Sequence, residues 1–218
     1  MLSTTLNRLK SEGYIPDTII DIGAHHGNWT NECKTVYPSS NYYLFEAIPY
    51  PELNRFNGFR NIKTFSQVLD SEERIVDWYE MQNTGDSMYK ELTYHFDNCI
   101  PIKKQTKRLD TMISPYIKSM NNVFIKIDCQ GAEIPILKGA GDVINKTNFV
   151  LLEMPFFGQY NSGVPTFLEH ISYMDSIGFV PFDICEYHRI NDFLMQIDIL
   201  FINKSHELND TVQKRLKH

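Results

Sequence analysis

Thr18-Ile19-Ile20-Asp21-Ile22-Gly23-Ala24-His25-His26-Gly27-Asn28 decides how this chain reads. Its β-branched apolar run is the pattern of a buried strand. The run ends in an acid and Gly-x-x-x-Gly, and Asn28 to Val36 continues as a helix. Strand, glycine turn and helix start make a cradle, because glycine admits close backbone approach and a helix start offers unpaired N–H groups. A dinucleotide site wants Gly-x-Gly-x-x-Gly, whose second glycine makes room for a pyrophosphate. Here His25 stands in that place, and Asp21 ahead of the glycines repels an anion. An acid there suits a ligand with an ammonium or a sulfonium, which points to S-adenosylmethionine. The competing reading is a tight strand-to-helix turn that needs small residues.

A second acid adds to the first. Asn41-Tyr42-Tyr43-Leu44-Phe45-Glu46 reads as the next strand. A carboxylate about 20 residues beyond the glycine turn, at the end of the neighbouring strand, accepts hydrogen bonds from ribose hydroxyls. Pro49 and Pro51 then turn the chain toward a short helix.

The remaining pattern alternates strand and helix. Leu2 to Ser11 is amphipathic and Gly13 stops it. Ile62 to Leu69 reads as a third strand, Arg74 to Glu80 as a half-exposed antiparallel strand, and Pro101 to Thr106 as an edge strand. Leu109 to Met120 reads as helical with Pro115 weakening its middle. Asn122 to Asp128 and Asn148 to Glu153 are strands ending in acids, separated by a helical turn or two from Gly131 to Ala140. Pro165 to Ile177 carries Leu168, Ile171 and Met174 at helical spacing, and Phe179 to Ile184 and Met195 to Ile202 are the last strands. Such alternation predicts a mainly parallel sheet covered on both faces, with ligands beyond the carboxyl ends of its strands. Asp21, Glu46, Asp128 and Glu153 all stand at such ends.

Composition narrows the class. The 218 residues are enough for one large core, and 42% hydrophobic with 22% charged residues is ordinary globular chemistry. A net charge of −6 argues against broad attraction to nucleic acid phosphates. Lys103, Lys104, Lys107 and Arg108 form a basic cluster, read as a solvated strand edge. Cys33, Cys99, Cys129 and Cys185 are far apart, without the spacing of a zinc site. No apolar run approaches a membrane span and no leader pattern is read, so a reducing cytoplasm is the expected compartment.

The ordered set Ile20-Asp21-Ile22-Gly23-Ala24-His25-His26-Gly27, Phe45-Glu46-Ala47-Ile48-Pro49, Arg108-Leu109-Asp110 and Lys126-Ile127-Asp128-Cys129-Gln130-Gly131-Ala132-Glu133 resembles the FkbM family of S-adenosylmethionine-dependent methyltransferases. Leu137-Lys138-Gly139-Ala140 and Leu151-Leu152-Glu153 fit the same pattern, so the resemblance runs from Ile15 to Asn203. His25 and Gln130 depart from it: the family usually has Asn at the first place and Glu or Val near the second. The resemblance implies a class I methyltransferase fold, a Rossmann-like α/β three-layer sandwich. Its seven-stranded, mainly parallel sheet runs 3-2-1-4-5-7-6 with the last strand antiparallel. It also implies O-methylation of a hydroxyl on a sugar, polysaccharide or other small acceptor. One methyltransferase domain is expected over residues 1–218: an N-terminal helix at about 2–12, a core at about 15–203 and a short C-terminal tail.

In this reading Asp21 faces the methionine ammonium or orders the glycine loop, and Gly23, Ala24, His25 and Gly27 give loop contacts. Glu46 and Ala47 meet the ribose, Gln67 and Val68 flank the adenine, and Trp29 packs on the cofactor or on the core. Methyl transfer from a sulfonium is an in-line displacement, in which alignment and desolvation supply much of the acceleration. An alcohol still needs a base or a metal. Asp128 is the first candidate base and an alternative cofactor ligand; Glu153 and Glu133 follow, with Glu133 favoured as a helix cap. No metal is claimed, and the partner is a small molecule or glycan rather than nucleic acid. The aromatic stretch from Met154 to Tyr160 is placed near the acceptor, and Gln196 and Asp198 face either the pocket or water. The other readings are a nucleotide-dependent oxidoreductase and a non-catalytic cofactor-binding module.

Overall fold

The computed structural model describes residues 2–215. The chain runs α1 (Leu2–Ser11), β1 (Thr18–Ile22), α2 (Asn28–Val36), β2 (Asn41–Glu46), β3 (Ile62–Ser66), β4 (Val68–Leu69), β5 (Ile75–Trp78) and β6 (Ile102–Lys107). It continues through α3 (Leu109–Ile113), β7 (Val123–Ile127), α4 (Glu133–Lys138), β8 (Thr147–Pro155), α5 (Phe167–Ser176), β9 (Phe179–Ile190), β10 (Phe193–Asn203) and α6 (Glu207–Arg215).

Seven strands form one sheet in the order β3-β2-β1-β7-β8-β10-β9. The pairs from β3 to β8 are parallel, and β10 runs antiparallel to both β8 and β9. This is the class I methyltransferase order, and it follows from burial. Every residue of β1 and β7 is buried, so these central strands need cover on both faces. Their side chains alternate: Ile20, Ile22, Ile125 and Ile127 pack toward α3, α4 and α5, while Ile19 and Phe124 pack toward α1 and α2. The chain winds outward through β2 and β3 and returns to place β7 beside β1. The strand order therefore switches between β1 and β7, where sheets of this kind open a crevice.

Several expected elements come out differently. The strand expected over Ile62 to Leu69 is two: β3 stays in the large sheet, and after Gln67 the chain leaves it so that β4 pairs with β6 in a small sheet, β4-β6-β5. The expected edge strand β6 is the middle of that sheet. Its lysines pair with carboxylates of neighbouring segments: Lys103, still exposed, reaches Asp77 at 2.7 Å, Lys104 reaches Glu80 at 3.0 Å and Lys107 reaches Glu73 at 2.6 Å. The helix expected to Met120 stops at Ile113, two residues before Pro115, whose ring excludes the preceding turn. On α5 Met174 is buried and Ile171 packs on the core, but Leu168 is 73% exposed because it falls outside the narrow buried stripe. The last two strands are longer than expected and join at Asn191 and Asp192, both with positive φ, the backbone of a tight hairpin turn. Within the stretch expected as a tail, Glu207–Arg215 form α6, which buries Leu208.

Candidate active site

Gly23 sits at the carboxyl end of β1 with φ +74°, and a Cβ there would collide with the carbonyl of Asp128. Only glycine lets the turn after β1 lie this close to the end of β7. The Gly23 and Ala24 N–H groups both donate to the Phe45 carbonyl at 3.0 Å, and the Asp128 N–H donates to Ile22 at 3.1 Å. These bonds lock the ends of β1, β2 and β7 into one rim.

Three carboxylates rise from that rim, in different settings. Glu46 accepts from the His25 N–H at 2.7 Å and the Ile48 N–H at 3.0 Å; burial raises its pKa, which these bonds resist. Asp21 is fully buried, not at the cavity wall. Thr30 donates to it at 2.6 Å, and the Lys126 ammonium lies 3.4 Å away. Burial raises the Asp21 pKa and Lys126 opposes that rise. Asp128 is 37% exposed, with Lys126 at 3.3 Å. Burial would raise its carboxyl, but Lys126 and donors on Glu153 and Gln130 hold it below the usual aspartate value.

These strand ends line an open cavity, about 970 Å³ with its solvent-filled mouth included. Gly23, Ala24, His25, Trp29, Glu46, Ala47, Gln67, Val68 and Asp128 line it, so nine of the expected cofactor residues converge. Asp21 and Gly27 stand behind the wall instead. Gly27, with φ +73°, begins α2 and packs against Phe56. His25 stacks on His26 at 3.9 Å, and Tyr50 meets both edge-on. Trp29 packs edge-on against Phe124 at 5.8 Å while lining the cavity, so it serves the core and the wall together. Three buried atoms of lining residues, Trp29 Nε1, Tyr50 Oη and Trp78 Nε1, have no hydrogen-bond partner in the protein. An amphipathic ligand with polar edges fits a cavity that leaves such groups unsatisfied.

Glu153 lies beyond Asp128, in a second, broader chamber with Asp198, Glu186, Glu91, Tyr160 and Tyr187. Asp128, Gln130 and Thr84 line both chambers. Gln130, with φ +52°, donates to Glu153 at 2.5 Å and accepts from Gln196 at 3.2 Å. Burial beside Asp128 pushes Glu153 well above the carboxylate range. Burial and Asp128 also push Asp198 up to about 7. Glu133, expected as a cap, accepts from the Cys129 and Gly131 N–H groups at 3.0 and 3.2 Å, which clamps the turn that carries Gln130.

Sequence reasoning missed three parts of this site. Lys126 was legible, since a lysine inside Val-Phe-Ile-Lys-Ile must find buried partners. Asp198 was left between pocket and water, because period-two alternation fixes a face without saying what lies across it. The cover formed by Asn83 to Met88 carried no local signal; it is tied down when the Ser87 hydroxyl donates to the Cys129 and Gln130 carbonyls at 3.2 Å. Among the described residues no group of three or more His, Cys, Asp or Glu is arranged as a metal centre, and no helix is long and apolar enough to cross a membrane.

A crevice at the strand-order switch, walled by a glycine turn and by acids at successive strand ends, defines a class I methyltransferase. The chain belongs to the FkbM family of S-adenosylmethionine-dependent methyltransferases: the profile of the methyltransferase FkbM domain matches residues 21–181. The fold is similar to methyltransferase FkbM from Methylobacillus flagellatus KT, at 16% identity and a TM-score of 0.53, over 84% of this chain and 43% of that one. This chain thus spans less than half of that protein. It is also similar to the 1,6-didemethyltoxoflavin-N1-methyltransferase of Burkholderia thailandensis, solved with 1,6-didemethyltoxoflavin and S-adenosylhomocysteine, at 10% identity and TM-score 0.52. That match covers 94% of this chain and 77% of the other. The precorrin-6y C5,15-methyltransferase of Geobacter metallireducens GS-15 matches at 13% identity and TM-score 0.50, over 93% and 87% of the two chains. No curated protein matches the sequence.

Proposed function

We propose that this chain methylates a hydroxyl of a sugar, polysaccharide or other small hydroxylated acceptor, as one catalytic domain in a reducing compartment. The observation that carries this reading is the pair of chambers meeting at Asp128 and Gln130. The first takes the cofactor, with Glu46 toward the ribose, Gln67 and Val68 toward the base, and Asp128 toward the reacting end. The second takes the acceptor. Carboxylates and the rings of Tyr94, Tyr160 and Tyr187 line it, and among the described residues no lysine or arginine does. Such a lining favours uncharged acceptors with many hydroxyls over phosphorylated ones. A seven-stranded sheet whose strands run from Thr18 to Asn203 supports a single domain. Four free cysteines support the reducing compartment.

Bound S-adenosylmethionine supplies an electrophilic methyl group on a sulfonium. The protein aligns the acceptor oxygen with it and takes the hydroxyl proton. Asp128, held below the usual aspartate value, is suited to orient that hydroxyl rather than to hold its proton. Asp198, near 7, is tuned to accept the proton at neutral pH. Glu153, pushed well above the carboxylate range by burial beside Asp128, is assigned a supporting place rather than that of base.

The acidic lining also favours a second reading, an acceptor amine, whose ammonium the same carboxylates would hold. A screen of neutral sugars, glycan fragments, amino sugars and sugar phosphates with labelled S-adenosylmethionine tests both. Label in neutral sugars upholds the first reading, label confined to amines replaces it with the second, and label in phosphates alone overturns both.

A further inference from the structure

Among the described residues Lys126 is the one lysine or arginine that lines the first chamber, beside Asp128, which lines both. The Lys126 side chain is 7% exposed, and a buried ammonium is tolerated only when its charge is paired. It donates to the Gly23 carbonyl at 2.9 Å and forms ion pairs with Asp128 Oδ2 at 3.3 Å and Asp21 Oδ1 at 3.4 Å. Asp21 is its register partner on β1, and Asp128 lies two residues on along the same face. The side chain thus joins the glycine turn of one strand to the outward-facing carboxylate of the next.

We propose that Lys126 is the positioning residue of the transfer site, fixing the Asp128 carboxylate against the Gly23 turn so that acceptor and methyl donor are aligned. The proposal rests on the methyl-transfer reading above. Its charge logic is asymmetric. Asp128 faces Glu153 from β8, Asp198 from β10, Asp21 from β1 and His25 from the glycine turn, with Cys129 beside it. Burial would lower the Lys126 pKa, but Asp128 and Asp21 hold it above the usual lysine value, so it stays charged. Without that ammonium, Asp128 has only carboxyls as charged neighbours on three strands, and its proton would be retained.

The test is a carboxyl ¹³C titration of Asp128, its resonance identified by its loss in Asp128→Asn, with calorimetry of S-adenosylhomocysteine binding. In the wild type Asp128 should titrate below the ordinary aspartate value. In Lys126→Met it should move above that value, with at least tenfold weaker binding at pH 7, and Lys126→Arg should restore both. The binding loss should shrink when Lys126→Met is made in the Asp128→Asn background, because the two act together. A folded Lys126→Met in which Asp128 titrates as in the wild type, or a binding loss equal in both backgrounds, overturns the proposal. If Lys126→Met does not fold, the wild-type titration decides alone: an Asp128 at or above the ordinary value overturns it. A wild-type chain that binds neither cofactor form overturns the methyl-transfer reading and this proposal with it.

Discussion

Glu153 on β8 and Asp198 on β10 are register partners, two carboxyls directly across an antiparallel pair that both line the second chamber. Like charges so placed repel, and a sheet normally avoids them. The repulsion is relieved by protons: Glu153 is pushed well above the carboxylate range, and burial with Asp128 raises Asp198 to about 7.

This raised group sets the pH dependence of stability. Between the ordinary aspartate value of 3.8 and about 7 the folded state holds a proton at Asp198 that the unfolded chain has lost, so stability falls as pH rises through that window. Asp198→Asn removes the effect. Its melting temperature should exceed the wild type's at pH 8 by about 2–4 °C for each kcal/mol relieved, and the gain should vanish toward pH 4. An equal shift at both ends of the range would refute the assignment.

Activity should depend on the same group. Wild-type turnover with a verified acceptor is expected to rise through about pH 7 as Asp198 ionises. Asp198→Asn should abolish that limb and slow turnover by roughly 10²-fold or more at pH 8. Asp128→Asn should cost a comparable factor with only a modest loss of cofactor affinity. Wild-type turnover in either variant removes that residue from the reaction.

Glu46→Ala and Asp21→Ala should part company. Glu46 borders the cavity and holds the His25 and Ile48 N–H groups, so its loss should weaken S-adenosylhomocysteine binding more than about tenfold while the fold persists. Asp21 is fully buried against Lys126 and Thr30, so its loss leaves a buried cation short of a partner. Breaking such a pair costs about 3–5 kcal/mol, and Asp21→Ala should be detected first by denaturant unfolding. Matching effects in the two variants would contradict the placement behind the wall.

Gly23→Ala should disrupt the rim itself. The added methyl group meets the Asp128 carbonyl at a backbone angle that favours glycine, so β1 and β7 must separate. Cofactor binding should fall below detection by calorimetry, with a loss of about 2 kcal/mol or more in unfolding free energy. Near-normal binding would show that the turn can relax.

Glu133→Gln should test the clamp on the Gln130 turn. Its buried oxygen holds two backbone N–H groups, and the amide keeps an acceptor of lower charge. Glu133→Ala should cost about 1–3 kcal/mol more than Glu133→Gln, as two buried donors go unmet. Equal stabilities of the two variants would discount the clamp.

Much of the fold was legible because its signals are local. The all-buried pattern of Thr18–Ile22 and Val123–Ile127 reads directly as central strands, and Gly23 announces the close turn. The small sheet was less legible. Ile62 to Leu69 is continuous in sequence, and only pairing with β6 makes the chain change sheets at Gln67. The ion pairs of Lys103, Lys104 and Lys107 were hidden for the same reason, since their partners come from residues 24 to 34 positions away.

By itself the sequence determined the succession of strands and helices, the glycine turn, and the acids at strand ends, because each depends on a few neighbouring residues. Tertiary structure decided which acids face a ligand and which are spent inside: Asp21 turns inward to Lys126, while Asp128, Glu153 and Asp198 gather around one opening. The physical reason is that a carboxyl's charge, burial and partners are set by strands brought alongside it, and such pairing joins residues more than a hundred positions apart.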